Sequence, residues 1–331
     1  MQLGPFTLPG ILFLAPMAGI TDQPFRQLCR QFGAAYAVSE MVSANPRLWE
    51  AKKSRKRTDM RDEPEPRSIQ ITGADPQDMA LCAAHYVRQG AQIIDINMAC
   101  PAKKVCNNWC GSALLRDEKR VADILDAVVR AVDVPVTLKY RTGWSRESRN
   151  AETIAKMAES AGIAMLVLHG RAREDFFGGE AEYETVAKVR QAVSIPVVAN
   201  GDIDSPGKAK KVLEMTGADA IMIGRAARGR PWIFREVGHY LQTGVLLPPP
   251  DVEEIQQLVH QHLRAHYSFY GEAAGVRSAR KHIGWYISNL PGSEESKARI
   301  NAAESAAQQL GGLDLFFESW SRHGPSPACA K

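Results

Sequence analysis

The chain has 331 residues, with 41 Lys and Arg against 37 Asp and Glu, a formal charge of +4, and 45% hydrophobic and 24% charged residues. That composition is ordinary for a globular protein, and the length suits a barrel of about 250 residues with an appendage. Six cysteines, at positions 29, 82, 100, 106, 110 and 329, form no regular framework, which excludes a disulfide scaffold and favours reduced thiols. No apolar run reaches the length of a membrane span, and the small positive charge permits a polyanionic partner without demanding one.

The first apolar run, 11–15, has no Lys or Arg before Arg26 and ends at Pro16. It predicts a buried strand rather than a signal peptide, and a cytoplasmic location is expected. Further strands are predicted over 37–39, 68–71, 93–97, 136–140, 165–169, 197–200 and 220–223, following the first at 12–15. Amphipathic segments at 76–89, 118–132, 153–161, 183–193 and 206–215 predict helices between them. Gly162 and Gly217 act as helix stops, and Pro135 and Pro196 as turn signals. Strands alternating with helices imply a parallel sheet, and eight such units close into a (β/α)8 barrel. The strand ends are polar or glycine-rich, which suits a rim where they converge on one target; an open doubly wound sheet would spread them along a line. The expected fold is therefore α/β, a TIM barrel over 1–243. A proline-rich linker follows at 244–250, then a small all-helical domain at 251–323 and a frayed tail at 324–331. Within the helical domain three helices are predicted, the third over 300–310.

Several rim residues carry chemical possibilities. Asn200-Gly201-Asp202 and Gly224-Arg225 follow the seventh and eighth strands, where backbone N–H groups and an arginine fork can hold a phosphate; each glycine alone could be a simple turn. Cys100 lies just past the fourth strand, beside Asn97 and Pro101. A thiol with an ordinary pKa near 8.5 stays protonated at neutral pH and can donate a proton, although most free cysteines are small buried hydrophobes. Lys139 ends the fifth strand and could form a Schiff base, contact a phosphate, stabilise an anionic ring or snorkel into water. His169, ahead of Gly170-Arg171, could bond a phosphate or carbonyl or simply belong to the core. Gln70 could meet a planar heterocycle or face the helix layer. Cys100, Cys106 and Cys110 match no zinc spacing, and no metal is expected. Basic clusters at 47–57, 103–104, 225–230 and 277–281 could track a nucleic-acid backbone or form a solvated face. Trp49, Trp109, Trp144 and Trp232 could stack on bases or serve as packing.

Leu14 to Asp22, Val38-Ser39-Glu40-Met41, Asp95 to Val105, Gly111 to Leu115 and Arg141-Thr142-Gly143-Trp144 occur in one consistent order. They are followed by His169-Gly170-Arg171, Pro196 to Ile203, Met222 to Phe234 and Ala279-Arg280-Lys281-His282. Together they resemble the tRNA-dihydrouridine synthase family, most closely its bacterial B-type members. The resemblance implies bound FMN, NADPH as reductant and tRNA as substrate, with B-type members pointing to D-loop position 17. Pro16, Met17, Ala18, Gln70 and Lys139 would hold the flavin ring. His169, Asn200, Gly201, Asp202, Gly224 and Arg225 would hold its phosphate arm. Asn97, Arg141 and Arg171 would meet the substrate, and Cys100 would be the proton donor. Ala99 stands where the family usually has glycine, and Cys106 and Cys110 add two thiols to the loop after Cys100. A monomer without an obligate protein partner is expected. The alternative on the same barrel is a small-molecule FMN dehydrogenase of the dihydroorotate type.

Overall fold

The computed structural model describes residues 1–288 and 290–323; the expected tail at 324–331, with Cys329, lies outside them. The chain gathers into two compact units, Met1–Arg225 and Ala226–Lys331.

In the first unit the barrel strands run in chain order: β1 Leu12–Leu14, β2 Tyr36–Ala37, β3 Ser68–Thr72, β4 Ile93–Met98, β5 Val136–Arg141, β6 Met165–His169, β7 Val197–Asn200 and β8 Ala220–Ile223. From β3 to β8 each is parallel to the next, and β8 returns to β1 through Ile221 opposite Leu12. β1 pairs with β2, and Val38, just beyond β2, bridges Ser68 of β3 in parallel, which closes the cylinder. A short strand, Val42–Ser43, continues along β3. Parallel neighbours need crossovers, supplied here by Gln23–Gln31, Pro76–Arg88, Glu118–Ala131, Ala151–Ala161, Glu184–Ala192 and Pro206–Thr216. Asp22, Asp75, Asp117 and Ser205 each accept a backbone N–H in the first turn of their helix. Gly162 and Gly217 end theirs in the left-handed region.

Strand side chains alternate between faces, and here the alternation separates two interiors. Phe13, Tyr36, Val38, Ile93, Met165, Val167, Val198, Ala220 and Met222 form one apolar cluster with Leu3 and Leu8 of the N-terminal segment. One or two steps along the same faces, toward the strand C-termini, stand Gln70, Asp95, Asn97, Thr137, Lys139, Arg141, His169 and Asn200, all buried. The register sets Gln70 opposite Asp95, Asp95 opposite Thr137, and Asn97 opposite Lys139. Gln70 therefore joins the polar interior and does not face the helix layer.

The second unit contains helices Ile233–Thr243, Val252–Tyr270, Glu272–Ile287, Ser293–Ala302 and Ala306–His323. Residues 226–243, placed with the barrel by the sequence reading, gather with these helices. Arg228 lies over the Trp285 ring at 5.1 Å, and Arg235 pairs with Glu254 at 2.6 Å. The single helix expected over 300–310 is corrected to two. Ala303 leaves the helical region at ψ 137, and the reversal brings Gly312 against Ile300, where an added Cβ would lie 3.1 Å from the Ile300 side chain. No helix among the described residues is long and apolar enough to cross a membrane.

Candidate active site

A chain of hydrogen bonds crosses the polar interior and ends at Cys100. Thr137 Oγ1 donates to Asp95 Oδ1 at 2.6 Å, and Gln70 Nε2 donates to Asp95 Oδ2 at 2.7 Å. The carboxylate can only accept, so it fixes which way the Gln70 amide points. Gln70 Oε1 then accepts from Asn97 Nδ2 at 2.7 Å. That in turn leaves Asn97 Oδ1 to accept the backbone N–H groups of Ala99 and Cys100, each at 3.0 Å. Burial raises the Asp95 carboxyl to about 6, against the opposing pull of Thr137, Gln70 and Lys139, so the anion prevails at neutral pH. Cys100 itself is partly accessible, and burial raises its thiol above the ordinary value. It is held as S–H, the form that can give a proton.

Beside this chain lies a cationic group. Lys139 Nζ donates to Asn200 Oδ1 at 2.9 Å, and Asn200 Nδ2 donates to the Met222 carbonyl at 2.8 Å. Burial and then Arg141 lower the Lys139 ammonium to about 8. His169 is driven well below its ordinary value by burial and by Lys139, Arg141, Arg171 and Arg225, so its imidazole is neutral. Asp202 takes Arg171 on both oxygens, at 2.9 and 2.5 Å, and Arg225 on one at 2.6 Å. Burial would raise its carboxyl, but Arg171, the Ala181 N–H and Arg225 hold it low. Gly201 has φ +127, and an added Cβ there would lie 2.7 Å from Ala181 Cβ and 3.1 Å from the His169 ring, so no larger residue fits. Neutral imidazole, a glycine turn and several cations around one carboxylate form a setting for an anionic group.

Two expected substrate contacts are otherwise engaged. Arg141, 1% exposed, spends its fork on the carbonyls of Ala99, Ala172 and Phe176 at 2.8 to 2.9 Å. Arg171 spends its own on Asp202 and on the carbonyls of Gly178 and Gly179. Both tie rim loops together. Pro16, Met17 and Ala18 form the turn after β1, where the Met17 N–H donates to Thr21 Oγ1 at 2.8 Å, and Met17 Sδ would lie 3.8 Å from a Cβ on Gly224. Cys106 is buried, with Sγ 3.6 Å from the Cys100 carbonyl, so it supports the loop from beneath.

The sequence reading gave no role to Asp95 or Thr137. The signal was present: Asp95 interrupts Ile93-Ile94-Asp95-Ile96 and shares a strand face with Asn97, as Thr137 does with Lys139. Glu40 was also passed over. It is buried, accepts the Gly19 N–H, and burial raises its carboxyl. In the helical unit His262, His266 and His282 bring ring nitrogens within 4.8 Å of one another. Tyr286 bonds His262 at 3.0 Å and Ser278 bonds His266 at 2.7 Å, as in a polar helix–helix core.

A profile of the family described as Dihydrouridine synthase (Dus) matches residues 13–320. The chain is 59% identical to "tRNA-dihydrouridine synthase B" of Pseudomonas aeruginosa over 99% of both chains. It is 54% identical to the protein of that name from Escherichia coli, over 97% of this chain and all of that one. Among solved structures, histamine dehydrogenase from Rhizobium sp. 4-9 superposes at TM-score 0.55 with 16% identity, over 80% of this chain and half of that one. Morphinone reductase in complex with tetrahydroNAD does so at 0.52 with 14% identity, over 76% and 92%. At such identities these two speak for the fold alone. The profile and the near-full-length identity settle the family: this chain belongs to the dihydrouridine synthases.

Proposed function

We propose that this protein reduces a D-loop uridine of tRNA to 5,6-dihydrouridine, with FMN bound in the barrel mouth and NADPH as reductant. The reading is supported by family membership, by the names of its relatives, and by one observation above the rest: a protonated thiol is held at the rim by a hydrogen-bond chain that runs past the cationic group. The residues present suit FMN. His169, Asn200, Gly201, Asp202, Gly224 and Arg225 would hold the phosphate arm, and Pro16, Met17, Ala18, Gln70 and Lys139 the ring. Gly201 leaves room for close approach, and Gln70 keeps one amide hydrogen beyond the bond it gives Asp95.

Bound there, FMN reduced by NADPH supplies a hydride to C6 of the uracil. The Cys100 thiol then gives its proton to C5, and a general acid of this kind contributes about 10²–10⁴-fold. Asn97 fixes the backbone at Cys100 and so aims that proton. Lys139 places a positive charge in the interior, where charge stabilisation is strongest because water is excluded. A uridine stacked in folded tRNA is out of reach, so the base must be extruded into the mouth. The basic surface and the helical unit would grip the RNA by shape and phosphate.

The test is mass spectrometry of tRNA from a strain lacking the gene, complemented with wild type or with Cys100→Ala. The variant should keep its flavin absorbance and leave the target uridine unreduced. Full restoration by Cys100→Ala refutes the acid role.

A further inference from the structure

The structure separates Trp49, Trp109, Trp144 and Trp232, the four tryptophans that the sequence offers for stacking on bases. Trp49 stacks on His85 with ring centroids 4.4 Å apart and donates Nε1–H to the Ser43 carbonyl; Trp232 is buried. Trp109 and Trp144 instead share one arginine, with the Arg116 guanidinium 5.1 Å from the first ring and 4.9 Å from the second. Arg173 continues the series at 4.5 Å from Trp144 and 4.9 Å from Phe176. Rings and guanidinium groups thus alternate across the segments that follow β4, β5 and β6. Trp109 is 49% exposed and has φ +57, a conformation bulky residues rarely adopt. Its segment is tied to the reactive thiol's backbone: the Ser112 N–H and Oγ donate to the Cys100 carbonyl at 3.1 and 2.9 Å.

Resting on the reading of an RNA substrate, we propose that Trp109, backed by Arg116 and Trp144, is a stacking platform for an unpaired nucleobase beside the extruded uridine. A half-exposed indole over a guanidinium offers a flat, polarised face, and bases stack on such faces in single-stranded recognition. The hollow at Trp109 is lined also by Leu115, Asp117, Glu118 and Asn150. Charge there is mixed, with the Arg116 guanidinium beside Asp117 and Glu118, so the exposed indole face is the recognition element that the surface offers a base. Those carboxylates are engaged by other partners, Asp117 by Arg120 at 3.6 Å and Glu118 by Asn150 at 2.9 Å. Arg116 is accordingly held by the two rings.

The test is equilibrium binding of the holoenzyme to tRNA and to a blunt RNA duplex of equal length, for wild type, Trp109→Ala and Trp109→Tyr. Loss of one stacked base predicts that Trp109→Ala weakens tRNA binding by about 10-fold or more. Trp109→Tyr should restore most of that binding, and duplex binding should not change. An unchanged Kd for tRNA in Trp109→Ala overturns the platform, as does an equal loss on the duplex. Dihydrouridine formation is measured in parallel: tRNA bound through Trp109 but never reduced would sink the proposed reaction and leave the platform standing.

Discussion

Asn97→Asp tests whether the hydrogen-bond chain positions Cys100, because it keeps the shape while turning one donor into an acceptor that can itself take up a proton. The new carboxylate still accepts the N–H groups of Ala99 and Cys100, but it faces Gln70 Oε1, an acceptor that now receives Asn97 Nδ2. Gln70 can turn over only if Asp95 becomes a donor, because its Nε2 presently serves that carboxylate. The chain is therefore satisfied again when either carboxyl takes up one proton: Asp95 with Gln70 turned over, or the new Asp, which then donates to Gln70 Oε1 as it stands. Burial already raises Asp95 to about 6 beside a neutral Asn97, and a second carboxylate in the network raises it further, so at about pH 7.5 the proton costs at most about 2 kcal/mol. That corresponds to a correctly set chain in at least about one molecule in thirty. The sign is fixed: the protonated form gains as pH falls, so the deficit closes on acidification. Single-turnover dihydrouridine formation in Asn97→Asp should be up to about thirtyfold below wild type at about pH 7.5 and approach it near pH 6. If Asn97 acted only by touching the substrate, the deficit would be the same at every pH. A flat ratio between the two enzymes would refute the positioning argument.

Other consequences follow from the same geometry. Lys139 carries its charge only below about 8, so FMN binding to the flavin-free protein should weaken as pH rises through that value. Lys139→Met should bind more weakly with a flat profile, as read by flavin fluorescence. Because its folded value lies below the ordinary 10.5, Lys139 also adds stability as pH rises from about 8 to 10.5; chemical denaturation of Lys139→Met should lack that rise. Arg171→Lys replaces a fork that serves Asp202 and two carbonyls from a site 1% exposed. A lysine keeps the charge but cannot serve all these acceptors, and a buried acceptor left without its donor costs about 1–3 kcal/mol, which calorimetry should register as a lower Tm. Gly170→Ala would place a Cβ 2.0 Å from the Glu182 carbonyl oxygen. Backbone cannot step aside as a side-chain tip can, so that variant should fail to accumulate as folded, yellow protein.

Much of the barrel is legible in the chain itself. Met165–His169, Val197–Asn200 and Ala220–Ile223 fall where their aliphatic runs predict, because parallel strands buried on both faces must be continuously apolar. The polar ends of those runs also locate the rim. The two-residue strand Tyr36–Ala37 is less legible, since closure there depends on a single bridge from Val38 to Ser68. The reversal at Ala303, inside the single helix expected over 300–310, packs Gly312 against Ile300, a contact that no local pattern announces.

The amino-acid order alone determined which residues could do chemistry: Cys100, Lys139, His169 and the glycines after the last two strands stand at strand ends whatever their neighbours do. What each side chain is committed to was decided only in three dimensions. The resemblance implies that Arg141 and Arg171 meet the substrate, and folding brings loop carbonyls and Asp202 to them. Asp95 looks like an interruption, yet it orients the amides that hold Cys100. The physical reason is that hydrogen bonds are directional and saturable: a group's role depends on which donors and acceptors reach it first, and those arrive from strands 25 to 61 residues away.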